Sequence, residues 1–255
     1  LEPHLKGKAI HSLSSPEVDQ VLDALAAARN WSGTTRNRYR SFIVGILNHS
    51  RKKGYNAPAL ELERRKEPKG RIRVLSREEA ARLIAELPLH LERMVRFSLA
   101  TGLRQSNITG LRWPDVDIER RIAWVWAEDA KGRRNINVPL SDDAIATLED
   151  AKGCTQHGHS LYVFTYYGNP IEQPANIAWL KAMKRAGIEG FTWHCLRHTW
   201  ASWHIMAGTP IPVLQKLGGW RDLTMPMRYA HLAPDHKAEA VNRLCYPPPV
   251  PAKVG

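Results

Sequence analysis

His194-Cys195-Leu196-Arg197-His198 puts an imidazole and a guanidinium three positions apart. They share one face of a helix's first turn, provided Thr192 caps that helix. Backbone N–H groups at such a turn point outward and favour an anion. An imidazole, a guanidinium and a helix N-terminus at one spot suit a phosphate. The same residues also fit a capped helix with a solvated arginine and a buried histidine. His194 and His198 have the i, i+4 spacing of a zinc-protease helix, but that pattern needs Glu directly after the first His, and Cys195 stands there. His157 and His159 lie in a glycine-bearing loop and supply no second paired cluster, so no metal is expected.

Three more segments carry candidate chemistry. In Ala100-Thr101-Gly102-Leu103-Arg104, Gly102 permits a left-handed turn that throws Arg104 across the surface. Lys131 sits in a tight polar turn between two expected strands. Trp220 follows the pair Gly218-Gly219 and precedes Tyr229 by nine residues. A buried indole N–H must find a partner. Tyr229 is a candidate nucleophile, although a phenol with a reference pKa of about 10 attacks poorly at neutral pH unless cations stabilise its anion. Each segment alone has an ordinary explanation: a turn arginine, a solvated hairpin lysine, a half-buried aromatic. Tyr166, Tyr167 and Tyr246 are rival phenols without the surrounding pattern.

These residues need a scaffold, and the apolar spacing supplies one. Residues 16–29 and 34–53 read as two helices, the first with Pro16 in its opening turn and the second ended by Gly54. Tyr39, Phe42, Ile43, Ile46 and Leu47 form the apolar stripe of the second helix. Residues 61–75 are charged and contain Pro68 and Gly70, which marks a linker. Ser76 through Glu79 form a capping box ahead of a helix, and another helix over about 90–101 ends at Gly102. Residues 121–127 and 134–138 alternate as strands, and helices are expected near 141–151, 174–186, 193–207 and 211–217. The expected fold class is mainly α with a small antiparallel sheet (α+β). The expected organisation is a small helical domain over 1–62, a basic linker over 63–75, a larger domain over 76–246, and a Pro-rich tail over 247–255.

Charge narrows the partner. The 255 residues carry a net charge of +12. The first 75 hold 15 Lys and Arg against 7 Asp and Glu, so the surplus is concentrated there. A basic excess points to a polyanion. At 43% hydrophobic and 24% charged the chain is not collagen-like or low in complexity, and no run of about 18 apolar residues spans a membrane. Cys154, Cys195 and Cys245 form no disulfide framework, which suits a reducing cytoplasm.

In this order, ATGLR, the Lys-bearing hairpin, HxxRH, LGGW and RYAHL together resemble the tyrosine recombinase (phage integrase) family. The resemblance covers about residues 76–246, and the two N-terminal helices look like part of that family's core-DNA-binding domain. It implies that Arg104 and Arg197 clamp a scissile phosphate and that His194 is the accompanying hydrogen-bond donor or proton shuttle. Lys131 would protonate the departing 5′ oxygen, Trp220 would donate its indole N–H to a non-bridging oxygen, and Tyr229 would be the nucleophile. His198 is expected as a buried supporting donor. Asn107 stands where the family often has a carboxylate, and Trp193 and Cys195 replace its common Pro and Asp.

The implied function is a site-specific DNA recombinase or integrase that cuts and rejoins DNA through a covalent 3′-phosphotyrosyl intermediate, with no metal, cofactor or ATP. Two alternatives are a type IB topoisomerase-like enzyme and a non-catalytic DNA-binding protein. Implied partners are double-stranded DNA with a specific target site, a homotetramer on two DNA sites and DNA-bending accessory proteins, with no membrane. The implied location is the bacterial cytoplasm, on the nucleoid.

Overall fold

Pro16 lacks the N–H that a helix's first turn leaves unpaired, so it opens α1 (Ser15–Ala28) without loss. Ser32 accepts from the Thr35 N–H at 3.2 Å and caps α2 (Gly33–Lys52). Both helices belong to the first of two units, Leu1–Arg71 and Ile72–Gly255, in a computed structural model that describes residues 6–67, 72–128, 135–153 and 160–233. Val18 and Leu22 of α1 meet Ile43 and Leu47 of α2, and Ala57 and Leu62 close this core from the extended segment that follows.

Only part of the expected α2 stripe is inside. Ile43 and Leu47 are buried, while Tyr39, Phe42 and Ile46 are exposed and Tyr39 stacks on Trp31 at 4.2 Å. Among the described residues of this unit, α2 packs chiefly on α1, which covers one narrow face, and the stripe is wider than that face. The polar residues do more than composition suggested. Arg36 is 2% exposed and donates to Asp19 at 2.7 Å, Asp23 at 2.6 Å and the Glu63 carbonyl at 2.6 Å. Asn37 pairs with both backbone groups of Arg65, at 2.7 and 2.9 Å. Residues 61–67, read as the start of a linker, are thus tied onto the two helices by hydrogen bonds.

The second unit opens with α3 (Arg77–Glu86), where both halves of the Ser76–Glu79 capping box form. α4 (Leu89–Thr101) is the central helix: Leu91, Met94, Val95 and Phe97 are fully buried against α6 (Asp142–Gly153) and α8 (Trp193–Met206). A short helix absent from the sequence reading, α5 (Gln105–Thr109), follows Gly102 and Arg104. Strands β1 (Val116–Asp117), β2 (Ile122–Val125) and β3 (Ile136–Pro139) form an antiparallel sheet in that order, with Ala123 opposite both Val116 and Val138. Lys131 lies outside the described residues, between β2 and β3.

One small sheet was expected, and the described residues form two. The second is a hairpin of β4 (Thr165–Tyr166) and β5 (Asn169–Pro170). Its two-residue turn, Tyr167-Gly168, has φ of 49° and 76°, the geometry that suits the twist of a tight hairpin. α7 (Ile177–Arg185) buries Trp179 against Trp193, and α9 (Ile211–Leu217) leads to a 3₁₀ turn over Pro226–Leu232 that carries Tyr229. Trp200, Ala201 and Ile205 of α8 form a second core with Leu214 and Tyr229. The tail over 247–255 lies outside the described residues, as do Cys154 and Cys245. Among the described residues, no helix is long and apolar enough to cross a membrane.

Candidate active site

Arg197 sits in the second turn of α8 with 5% of its surface exposed. Its Nη1 donates to the Gly102 carbonyl at 2.6 Å, and its Nη2 donates to the Gly218 carbonyl. Those carbonyls are available because of glycine. Gly102 ends α4 at φ 63°, and a Cβ there would lie 2.2 Å from the Trp200 ring. The end of α4 therefore rests directly on α8, which only a residue without a side chain permits. At Gly218 a Cβ would lie 2.3 Å from the Trp220 ring, and at Gly219, φ 59°, it would lie 2.7 Å from Ile136 of β3. The two glycine motifs close the backbone around one guanidinium, and the second also seats the β2–β3 hairpin against the same place.

The Trp220 ring forms one wall, with the Arg197 guanidinium carbon 4.5 Å from its centroid. Arg104 is half-buried at the N-cap of α5 and repels Arg197. Burial first, and Arg104 second, lower the Arg197 pKa to about 10, so it remains a cation at neutral pH. Among the described residues, no carboxylate pairs with Arg197 or Arg104. Other arginines of the chain are matched: Arg73 with Glu79, Arg121 with Asp142, Arg185 with Glu86. A buried, immobilised cation without a counter-charge, beside a second cation, is a site for an anion.

Tyr229 is 1% exposed, its ring 6.4 Å from that of Trp220. Its hydroxyl is hydrogen-bonded to His198 Nδ1. Burial pushes the phenol above its ordinary value, against the pull of Arg197 and Arg228, so the hydroxyl keeps its proton. Burial, then His194, Arg228 and Arg197, hold His198 down to about 4, so its imidazole is neutral at pH 7. With a protonated phenol and an imidazole that carries its proton on Nε2, Tyr229 donates and Nδ1 accepts. His198 was expected as a buried donor; it is half-buried, and its role in the bond to Tyr229 follows its tautomer. A cavity of about 800 Å³ reaches the site, lined by Leu75, Ser202, Trp203, Tyr229 and His231 among others.

His194 is exposed in the first turn of α8, its ring edge-on to His198 at 4.8 Å. Thr192 is the N-cap residue, but its hydroxyl contacts Cys195 Sγ at 3.3 Å and makes no cap bond. Trp193 is buried against Trp179 in the core, and Asn107 is buried in α5. The fold thus gathers His194, Arg197, Trp220 and Tyr229 with Arg104 alongside, and Lys131 falls outside the described residues. The sequence reading missed the Tyr229–His198 bond and the two carbonyls on Arg197. The glycines of ATGLR and LGGW were the available signal for those carbonyls.

A family model described as "Phage integrase family" matches residues 73–236. An integrase of Salmonella phage P22 is 39% identical over 224 residues, which is 82% of this chain and 57% of that protein. An integrase of Escherichia phage 186 is 36% identical over 175 residues, 66% of this chain and 46% of that protein. The chain therefore spans about half the length of these curated relatives. Among solved structures, the XerH site-specific recombinase bound to a palindromic difH substrate superposes with a TM-score of 0.73 at 16% identity, covering 94% of this chain and 75% of that one.

Proposed function

Since the chain belongs to the phage integrase family, we propose that it is a site-specific DNA recombinase that cleaves and rejoins DNA through a 3′-phosphotyrosyl intermediate. The carrying observation is the Arg197 guanidinium, buried without a carboxylate among the described residues, beside Arg104 and against the Trp220 ring, which lies 6.4 Å from the ring of Tyr229. In-line attack on a phosphodiester builds charge on the non-bridging oxygens. Two guanidinium groups meet that charge, each well-placed donor contributing about 3 kcal/mol, and they do so without metal or ATP.

In this reading Arg104 and Arg197 hold the scissile phosphate, and Tyr229 attacks phosphorus. His194 and the Trp220 indole donate to phosphate oxygens, and Lys131 protonates the leaving 5′ oxygen. The covalent phosphotyrosine conserves the bond energy, so a 5′ hydroxyl can later reseal the strand. The helical domain over 1–62, the basic stretch over 63–75 and the catalytic domain over 76–246 each bind the duplex backbone, which gives strong salt dependence. The assembly is four protomers on two copies of a specific site, with DNA-bending proteins as helpers, in the bacterial cytoplasm.

The test uses a nicked suicide duplex carrying a site selected from a random-sequence pool by the protein itself. Wild-type protein is expected to form a covalent adduct that denaturing electrophoresis detects. Tyr229→Phe abolishes the adduct and keeps the mobility shift. An adduct that persists in Tyr229→Phe overturns the assignment of the nucleophile. Relaxation of supercoiled plasmid without sequence preference would point to a topoisomerase instead.

A further inference from the structure

A phenol cannot attack phosphorus while it holds its proton, and the acceptor must lie within hydrogen-bond reach. The hydrogen bond of the Tyr229 hydroxyl goes to His198 Nδ1. We propose that His198 is a further catalytic residue: its Nδ1 takes the Tyr229 proton as the hydroxyl becomes a nucleophile, and returns it when the strand is rejoined. This rests on the reading of Tyr229 as the nucleophile.

The balance is simple. In cleavage the phenolic O–H bond breaks, the proton moves to Nδ1, and the phenolate oxygen bonds to phosphorus. The bond from phosphorus to the 5′ oxygen breaks, and that oxygen takes a proton from the leaving-group acid. In rejoining, the 5′ hydroxyl gives its proton back to that acid and attacks phosphorus. The tyrosine oxygen leaves and recovers its proton from the His198 imidazolium.

The surroundings make this step depend on substrate. Burial holds the phenol above its ordinary value and the imidazole down to about 4, so in the free protein the proton stays on Tyr229. The groups that face His198 are cations or potential cations: His194 and Arg197 on its own helix, and Arg228 beside Tyr229. Tyr229 itself also faces Arg197, Arg228 and Cys195. An anionic phosphodiester seated on Arg197 and Arg104 offsets those cations and favours imidazolium at His198. The arginines meanwhile stabilise the phenolate. The tyrosine is thus inert until a phosphate is in place.

The experiment measures the rate of adduct formation on the same suicide duplex. His198→Phe is expected to slow it by about 10² to 10⁴-fold, the usual span for a lost general base, while the mobility shift and thermal unfolding stay close to wild type. His198→Asn keeps a hydrogen-bond acceptor near the Nδ1 position but takes up no proton, and it stays slow. Trifluorotyrosine at position 229, a more acidic phenol, restores at least tenfold in the His198→Phe background and gives little gain in wild type. Wild-type rates in His198→Asn, with Tyr229→Phe inactive, overturn the proposal and leave the nucleophile in place. Slow variants that trifluorotyrosine does not rescue also overturn it, because His198 then only positions the ring. An adduct in Tyr229→Phe removes the underlying reading instead.

Discussion

Replacing Gly102 by Ala tests the claim that two glycine turns build the arginine socket. The residue is at φ 63°, where an L side chain costs about 1–2 kcal/mol. The new Cβ would also lie 2.2 Å from the Trp200 ring, which must shift, and overpacking of this kind costs about 1–3 kcal/mol. If the turn moves instead, the hydrogen bond from Arg197 to the Gly102 carbonyl is lost, and a bond to a charged group contributes about 1.5–3 kcal/mol. Backbone strain acts together with one of the other two effects, so the expected loss is about 2–5 kcal/mol. For a unit of this size that lowers Tm by about 10 °C. Gly187→Ala is the internal control: its φ is 67°, but a Cβ there meets nothing within 4 Å. It bears the backbone strain alone and should lose only about 1–2 kcal/mol. Thermal unfolding followed by tryptophan fluorescence compares the two, and Trp200→Leu should recover part of the Gly102→Ala loss. Equal losses at Gly102 and Gly187 would refute the argument.

Arg197→Lys keeps a cation but cannot reach both carbonyls as a fork; it should reduce adduct formation on the suicide duplex by at least 100-fold while DNA binding holds within a few-fold. His198 is held down to about 4 from an ordinary 6.5, so as pH falls from 6.5 towards 4 the unfolded chain takes up a proton that the folded one refuses. Stability is therefore full above pH 6.5 and declines across that window, by at most about 3 kcal/mol from this group. His90 and His204 are also held low by burial and add to the slope, so the difference between wild type and His198→Asn in acid denaturation isolates the His198 part. Arg36→Ala leaves Asp19 and Asp23 without their shared partner and should destabilise the first unit by about 3 kcal/mol, seen as faster proteolysis within residues 6–67.

Local rules carried much of the reading. Ser76 and Glu79 announce α3 because a capping box is complete within four residues, and Gly102 announces the end of α4 because its φ is set locally. The sequence reading failed where the decisive partner is distant. Phe42 and Ile46 have the spacing of core residues, but whether a helical face is covered depends on what the rest of the fold puts against it. β4 and β5 are two residues each, too short for any alternation to register, and Tyr167 occupies a left-handed position more often given to Asn or Gly. Of the candidate site, HxxRH and LGGW identified residues, but not the bonds that join Arg197 to carbonyls 95 and 21 positions away. The burial of Tyr229 against His198 likewise depends on the 3₁₀ turn folding back onto α8, which no short window of sequence encodes.

A guanidinium fastened by both terminal nitrogens to main chain has no freedom to follow its target. Whatever anion it receives must be carried to a fixed point and turned to a fixed angle. Adjustment between protein and ligand then falls to the parts that can give: the tyrosine turn, the exposed His194 ring and the curvature of the ligand itself. A rigid clasp of this kind selects on the shape its visitor can assume at least as much as on the charge it brings.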